Sequence, residues 1–266
     1  MDLQLGSKRA LVTGASRGIG KAIAMELARE GASVVICSRN REQIEATTSE
    51  IAAETGATVV GFVADTSDGD AIKRLVADCV GTLGGLDILV NNAARVSGGA
   101  TPDSLLGGTD ELLRGDFETK MLGYVRCARE AAPHMLTAGW GRIINVSGMA
   151  ARGGGSVSAG MRNISLVSLS SSLAQELGPH GVSVNTVLPG AVLTEDRPAR
   201  LRALAERQGT TAEVLDRTDA QRNAIKRVVS AAEIGAVVAF LCSPLSQAVT
   251  GEAISVGGGG SRAIVY

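Results

Sequence analysis

A glycine-rich turn between an apolar run and an amphipathic helix constrains this chain more than any other segment. The turn is TGASRGIG, residues 13–20; it follows the apolar residues 10–12 and precedes residues 21–28, in which apolar side chains recur at helical spacing. Glycine lacks a Cβ, so the backbone can adopt a positive φ and approach a ligand closely. The first turn of a helix also presents unpaired N–H groups to a phosphate. The pattern predicts a dinucleotide site, and the alternative is a tight strand-to-helix turn without a ligand.

The rest of the chain alternates apolar strand candidates with amphipathic helices. Strands are predicted at 33–38, 58–64, 88–91, 142–146, 182–188 and 253–256. Helices are predicted between them at 41–55, 70–83, 115–138 and 231–241, with apolar residues three and four positions apart. This alternation predicts an α/β fold, a single Rossmann-type doubly wound parallel sheet of about seven strands with helices on both faces. The 266 residues fit one such domain, 1–266.

Two irregular segments, 95–110 and 195–226, follow predicted strands. They therefore lie at the edge where open α/β sheets bind ligands. The second contains two short helical patterns, 201–207 and 212–215. We expect it to form a lid over a substrate, and the alternative is an exposed helical excursion.

The charge balance indicates a small-molecule partner rather than a polyanion. Lys and Arg total 26 against 27 Asp and Glu, a net charge of −1, so neither nucleic acid nor an anionic membrane is expected as a partner. The chain shows no apolar run long enough to cross a bilayer and no signal-peptide pattern, so we expect a cytoplasmic protein. Neither histidine lies near a recognisable nucleophile, which argues against a hydrolytic triad. Widely spaced cysteines without a metal-ligand pattern predict reduced, buried thiols and no metal site: Cys37, Cys79, Cys127 and Cys242.

Several ordered motifs resemble those of the short-chain dehydrogenase/reductase family over nearly the whole chain. The family's TGxxxGxG pattern corresponds to residues 13–20, its NNAG turn to NNAA at 91–94, its PGxxxT pattern to 189–194 and its closing TGxxxxVxGG pattern to 250–259. The resemblance implies a nicotinamide cofactor, with an acidic residue near the adenine and a threonine near the carboxamide. The residues it assigns to the cofactor are Gly14, Ser16, Arg17, Gly18, Ile19, Gly20, Arg39, Asp65, Thr66, Asn91, Ala93, Pro189, Gly190, Val192 and Thr194.

The end of the second strand indicates which nicotinamide cofactor is bound. NAD-preferring members usually place an aspartate there to accept from the ribose hydroxyl, whereas this chain has Cys37, Ser38 and Arg39. A guanidinium pairs with a 2′-phosphate, and Arg17 adds a second cation on the same side. We expect NADP rather than NAD; the alternative is that both arginines are solvated surface residues.

The resemblance fails at the family's catalytic tetrad of Ser, Tyr, Lys and Asn. In that tetrad the tyrosine exchanges a proton with the substrate oxygen, and the lysine lowers the tyrosine pKa. Counting from GRIINVSG at 141–148 and from the end of the next helix puts Gly148 at the serine position, Ala159 at the tyrosine and Asn163 at the lysine. Lys120 stands at the asparagine position. All four members of the tetrad are therefore replaced.

The lysine and asparagine have exchanged positions, so we predict Lys120, Asn163 and Ser147 as catalytic residues. In this hypothesis the Lys120 ammonium reaches the space of the missing lysine; the alternative is that it extends to solvent from an ordinary helix. Tyr124, one turn later, either reaches the same pocket or packs in the core or at a subunit contact. Other candidates for the missing hydroxyl group are Ser156, Ser158 and Tyr266.

Three functions remain open from the sequence. The first is an atypical NADP(H)-dependent oxidoreductase acting on a carbonyl or alcohol. The second keeps the fold but uses Lys120 in a retro-aldol, decarboxylation or elimination reaction. The third is a non-catalytic dinucleotide-binding subunit. The resemblance also implies a homodimer or homotetramer formed through the helices at 115–138 and 164–177.

Overall fold

The computed structural model of the chain describes residues 2–94, 108–153 and 157–260. Ser156, Tyr266 and most of the irregular segment 95–110 lie outside the described residues.

The centre of the fold is a parallel sheet, which confirms the predicted fold class. Seven strands hydrogen-bond in the order β3-β2-β1-β4-β5-β6-β9, and every pairing is parallel. The order reverses between β1 and β4, the point at which open α/β sheets bind ligands. A separate two-stranded pair, β7 with β8, lies outside the main sheet. The strands are β1 Arg9–Thr13, β2 Ser33–Ser38, β3 Val59–Val63, β4 Ile88–Asn91, β5 Gly141–Val146, β6 Val182–Pro189, β7 Val192–Leu193, β8 Val229–Ser230 and β9 Ala253–Val256.

Helices cover both faces of the sheet. One apolar cluster packs α1, α2 and α9 against the strands, and a second packs α3, α5 and α6 against the opposite face. Strands buried on both faces require near-continuous apolar sequence, which explains the runs in β1, β2 and β4. The helices are α1 Gly18–Arg29, α2 Arg41–Thr55, α3 Gly69–Leu83, α4 Asp110–Asp116, α5 Gly123–Ala138, α6 Val157–Leu177, α7 Arg197–Gln208, α8 Ala212–Arg222 and α9 Ala231–Cys242.

The helix predicted at 115–138 is not a single α-helix. It begins earlier, at Asp110, and a π-helical turn, Phe117–Leu122, separates α4 from α5. Directly after this turn the backbone of Gly123 lies so close to the loop after β3 that a Cβ would be 2.6 Å from the Thr66 carbonyl oxygen. Such wide turns often mark functional sites, and this one carries Lys120.

The segment 195–226 contains longer helices than the sequence pattern predicts. They are α7 and α8, and the buried Arg197 guanidinium ties them together through Asp216 and Asp219 at 2.9 Å each. All four cysteines are buried and reduced, as expected. No described helix is long and apolar enough to cross a lipid bilayer.

Candidate active site

A cleft of about 360 Å³ opens at the carboxyl ends of the central strands, beside the glycine turn. Loops that follow the strands form its walls, so polar side chains from distant parts of the sequence converge there. Most of the predicted site residues line it, namely Gly14, Ser16, Arg17, Gly18, Ile19, Gly20, Arg39, Asp65, Thr66, Ala93, Lys120, Ser147 and Thr194.

The glycine turn needs two of its glycines for close packing. Gly14 has φ of +64°, and a Cβ there would lie 2.7 Å from the Ala93 Cα. A Cβ on Gly20 would lie 2.4 Å from the Gly14 carbonyl oxygen. The side-chain amide of Asn92 donates to the carbonyl oxygens of Thr13 and Gly14 at 3.1 and 2.9 Å, which joins the turn to the end of β4.

Three exposed arginines lie along the cleft. Arg17 belongs to the glycine turn, Arg39 directly follows β2 and Arg200 belongs to α7. Guanidinium groups match phosphate oxygens in geometry and charge. On the same cleft wall, the Asp65 carboxylate accepts hydrogen bonds from the backbone N–H and hydroxyl of Ser67 at 2.9 and 2.8 Å. The cleft therefore combines cations near the end of β2 with a fixed acid after β3.

The segment after β7 packs on the first turn of α1. Thr194 lines the cleft and donates to the Asp196 carboxylate at 2.6 Å, while the Glu195 carboxylate accepts from the backbone N–H of Gly18 at 2.9 Å. The Asp196 pKa is lowered, with burial opposing hydrogen bonding and nearby arginine charge.

Lys120 lies in the interior part of the cleft lining. Its side chain is buried, with 7% of the residue exposed, and Nζ donates to the Ser147 carbonyl oxygen at 3.0 Å. The alternative in which this lysine extends to solvent does not describe the structure. Burial lowers the Lys120 pKa from 10.5 to about 7; the Arg162 charge acts in the same direction, and the Asp116 charge opposes it. Near neutral pH this amine therefore exists in both protonation states.

Ser147 links Lys120 to Asn163. The Ser147 hydroxyl donates to the Asn163 backbone carbonyl at 2.9 Å, and Asn163 is itself buried. A Cβ on Gly148 would lie 3.0 Å from Asn163 Nδ2, so the absence of a side chain at 148 makes room for this carboxamide. Among the described residues, Asn163 Oδ1 has no hydrogen-bond partner, which leaves a buried acceptor available beside Ser147.

A buried ion pair beside this cluster was missed by sequence reasoning. The Asp116 carboxylate, at the end of α4, accepts hydrogen bonds from Ser158 and Arg162 of α6. Ser158 and Arg162 directly precede Ala159 and Asn163, the replaced positions. The sequence shows that Ser158 and Arg162 are four residues apart and therefore share one face of a helix. Their contact with Asp116, however, depends on the tertiary fold.

Five predicted residues lie behind the cleft surface. Asn91 is buried at the end of β4, where its amide donates to Asn145 of β5 at 2.9 Å. Its neighbour Asn92 reaches the cleft instead, because successive strand residues point in opposite directions. The others lie in elements around the cleft and are not part of its lining: Pro189 at the end of β6, Gly190 against Gly257, Val192 in β7 and Asn163 in α6.

Tyr124 does not reach the cleft. Its ring is buried, its hydroxyl donates to the Val146 carbonyl oxygen at 3.1 Å and burial raises its pKa. This tyrosine thus packs in the core, which was one of the two expected outcomes.

Comparison with known proteins identifies the family. The family model described as enoyl-(acyl carrier protein) reductase matches residues 14–261. The chain belongs to the short-chain dehydrogenase/reductase family. Two curated reductases are similar along their length. The short-chain reductase protein NovJ of Streptomyces niveus is 37% identical, covering 94% of this chain and 92% of NovJ. A 3-oxoacyl-(acyl-carrier-protein) reductase of Staphylococcus aureus is 34% identical, covering 95% of this chain and 98% of the relative.

A solved reductase has the same architecture. L-sorbose reductase from Gluconobacter frateurii, complexed with NADPH and L-sorbose, superposes with a TM-score of 0.92 at 28% identity, over 99% of this chain and 100% of that one. The family accounts for the glycine turn and the sheet order, and the replaced tetrad positions are where this chain departs from its pattern.

Proposed function

We propose that this protein is an NADPH-dependent short-chain reductase that acts on a ketone and uses Lys120 as its proton donor. The single observation that carries the proposal is the buried Lys120 amine in the cleft lining, bonded only to a backbone carbonyl among the described residues and with a pKa near neutrality.

The cleft fits the cofactor at several points. Gly14 and Gly20 keep the backbone of the turn close-packed, and the first turn of α1 lies beside them, where its N–H groups can bind a diphosphate once the Glu195 carboxylate leaves the Gly18 N–H. Arg17 and Arg39 provide cations where a 2′-phosphate would lie, which favours NADPH over NADH. The solved L-sorbose reductase, with the same fold, is a complex with NADPH. When bound, NADPH supplies the hydride.

The chain itself supplies the proton. Lys120 Nζ donates to the Ser147 carbonyl oxygen and keeps further N–H bonds available toward the cleft. A protonated Lys120 can transfer its proton to a substrate oxygen as that oxygen gains negative charge. Ser147 holds the lysine through its carbonyl and holds α6 through its hydroxyl. The Asn163 Oδ1 acceptor can accept a hydrogen bond from a water molecule or a hydroxyl.

The lowered Lys120 pKa also favours a second function, because a neutral amine can remove a proton in a retro-aldol or elimination reaction. Net oxidation of NADPH separates the two reactions. A non-catalytic subunit would bind NADPH and turn over nothing.

Turnover by Lys120 variants tests the proposal. We expect the wild-type protein to oxidise NADPH with a 3-oxoacyl thioester or a ketose, the ketone classes named for its relatives. Lys120→Ala should lose about 10²- to 10⁴-fold in kcat while its Kd for NADPH, measured by fluorescence titration, changes little. Lys73→Ala removes an exposed lysine of α3 and is the matched control. Wild-type turnover in the Lys120 variant would refute the role of this lysine.

The segment 195–226 is proposed as the lid. Thr194, Asp196 and Arg200 line the cleft, so a movement of α7 changes access to it. NADPH should slow proteolysis within 195–226, and equal cleavage with and without NADPH would argue against closure.

Two copies are proposed to associate through α6. This helix exposes Val157, Met161 and Ile164 at helical spacing, with 38%, 49% and 50% of each residue exposed. Met161→Glu combined with Ile164→Glu should convert a dimer or tetramer into smaller species in light scattering, and an unchanged mass would exclude this face.

A further inference from the structure

Asp116 and Lys120 are four residues apart, and yet they do not pair. A carboxylate and an ammonium at this spacing on a helix ordinarily attract each other. Here the Lys120 ammonium donates to the Ser147 carbonyl, and among the described residues it has no carboxylate within 4.0 Å. The Asp116 carboxylate turns instead to α6, where Ser158 and Arg162 both donate to its Oδ2.

The contacts with α6 determine where the negative charge lies. Asp116 and Arg162 are largely buried, with 10% and 18% of their side chains exposed, so their charges are weakly screened by solvent. Arg162 neutralises Asp116, and Lys120 therefore faces a pair without net charge. The wide π-helical turn between α4 and α5 carries Lys120 on the cleft side, next to the end of β5.

We propose that Arg162 and Ser158 are positioning residues, which hold the Asp116 carboxylate away from Lys120 and so keep this lysine available to exchange a proton in the cleft. The proposal rests on the function assigned to Lys120 above. The proposal also gives a role to the residues that precede two of the replaced tetrad positions. Ser158 precedes Ala159, and Arg162 precedes Asn163.

The other charged groups near Lys120 are paired elsewhere or lie across the cleft. On its own helical stretch, Glu118 pairs with Arg126 at 2.5 Å, and Arg126 also donates to the Ser67 carbonyl, so this pair faces the loop before α3. Tyr124 is buried with its hydroxyl on Val146. From β5 and α6, the groups facing Lys120 besides Arg162 are uncharged: the Ser147 carbonyl and the Asn163 region. Asp65 lies across the cleft, bonded to Ser67.

The test is the Lys120 pKa, measured by NMR titration of protein labelled at lysine Cε, with Lys120→Arg used to assign the signal. Arg162→Met removes a cation near Lys120 and releases the Asp116 carboxylate; both changes favour the protonated amine, and together we expect them to raise the Lys120 pKa by about 1 to 3 units. The falling limb of the pH profile of NADPH oxidation should move upward by the same amount. Combining Arg162→Met with Asp116→Asn removes both charges, so the Lys120 pKa should return to within about half a unit of wild type.

Two further variants keep the result interpretable. Arg162→Leu repeats the test with a second side chain that cannot donate to Asp116, in case the methionine variant does not fold. Arg126→Met breaks another arginine–carboxylate pair of the same helical stretch and should leave the Lys120 pKa unchanged. An unchanged Lys120 pKa in both Arg162 variants, or an equal shift in Arg126→Met, overturns the proposal. A shifted pKa in a protein that oxidises no NADPH would instead refute the proposed function and leave the positioning role standing.

Discussion

Replacing Lys120 by methionine should remove a specific pH dependence from the stability of this protein. The unfolded chain holds a proton on this amine up to its ordinary pKa of 10.5, whereas the folded chain holds it only up to about 7. Between these values the unfolded state binds the extra proton, so protonation favours unfolding. The free energy of unfolding therefore rises with pH through this window, and the cost of the buried charge is fully present below it.

The magnitude follows from the two pKa values. Each pKa unit corresponds to 1.36 kcal/mol, so the gap between 10.5 and about 7 is worth on the order of 5 kcal/mol in full. At pH 7 nearly all of this cost is present. Raising the pH from 7 to 9 should return about 2 kcal/mol to the wild-type protein, and the change between pH 6 and 7 should be well under 1 kcal/mol.

Urea unfolding of wild type and Lys120→Met at pH 6, 7, 8 and 9 measures this contribution. Burial raises the pKa of Cys37 and Cys242 to about 12. These two thiols therefore lower the free energy of unfolding only as the pH rises above the pKa of 9 that they have in the unfolded chain, and they do so equally in both proteins. The difference between the proteins should therefore isolate Lys120: the variant should be the more stable at pH 7, and the gap should narrow by about 2 kcal/mol at pH 9. Parallel pH curves would refute a buried lysine with a lowered pKa.

Three further outcomes are expected. If Lys120 donates the proton, kcat/KM for ketone reduction should fall tenfold per pH unit above about pH 7, and a profile flat to pH 9 would contradict this role. Arg39→Ala should weaken NADPH binding roughly 10-fold and leave NADH binding unchanged, because only NADPH carries the 2′-phosphate. The control is Arg41→Ala, which removes an exposed arginine paired with Glu45 and should alter the binding of neither cofactor. Tyr124→Phe should cost about 1 kcal/mol of stability through the lost bond to Val146, yet keep turnover within about twofold; a loss as large as that of Lys120→Ala would place this tyrosine in the reaction.

The sheet could be predicted from the sequence because β1, β2 and β4 are buried on both faces and therefore carry continuous apolar runs, whereas β3 and β9 are only partly buried. The predicted bounds of β2, β4 and β9 agree with the structure, and those of β3 differ by one residue at each end. Site residues directly after these strands could be predicted as well, because the carboxyl ends of parallel strands lie at the same edge of the sheet. The π-helical turn and the Asp116–Arg162 pair were beyond such reasoning. The pair depends on how α4 packs against α6, and its two residues are 46 positions apart.

Three unfavourable features of this site lie around Lys120. Burying Lys120 is costly near neutral pH, Asn163 Oδ1 lacks a partner among the described residues and Arg162 Nε is buried without one. Protein cores usually exclude buried charges and buried polar atoms without hydrogen-bond partners. Where a protein has them, they are often found at functional sites. A chain that only binds a dinucleotide would not need a buried amine there, because methionine would fill the same space at lower cost. The presence of Lys120 at this position, with Asp116 bonded to α6 instead, therefore favours the proposed proton site over a non-catalytic dinucleotide-binding fold.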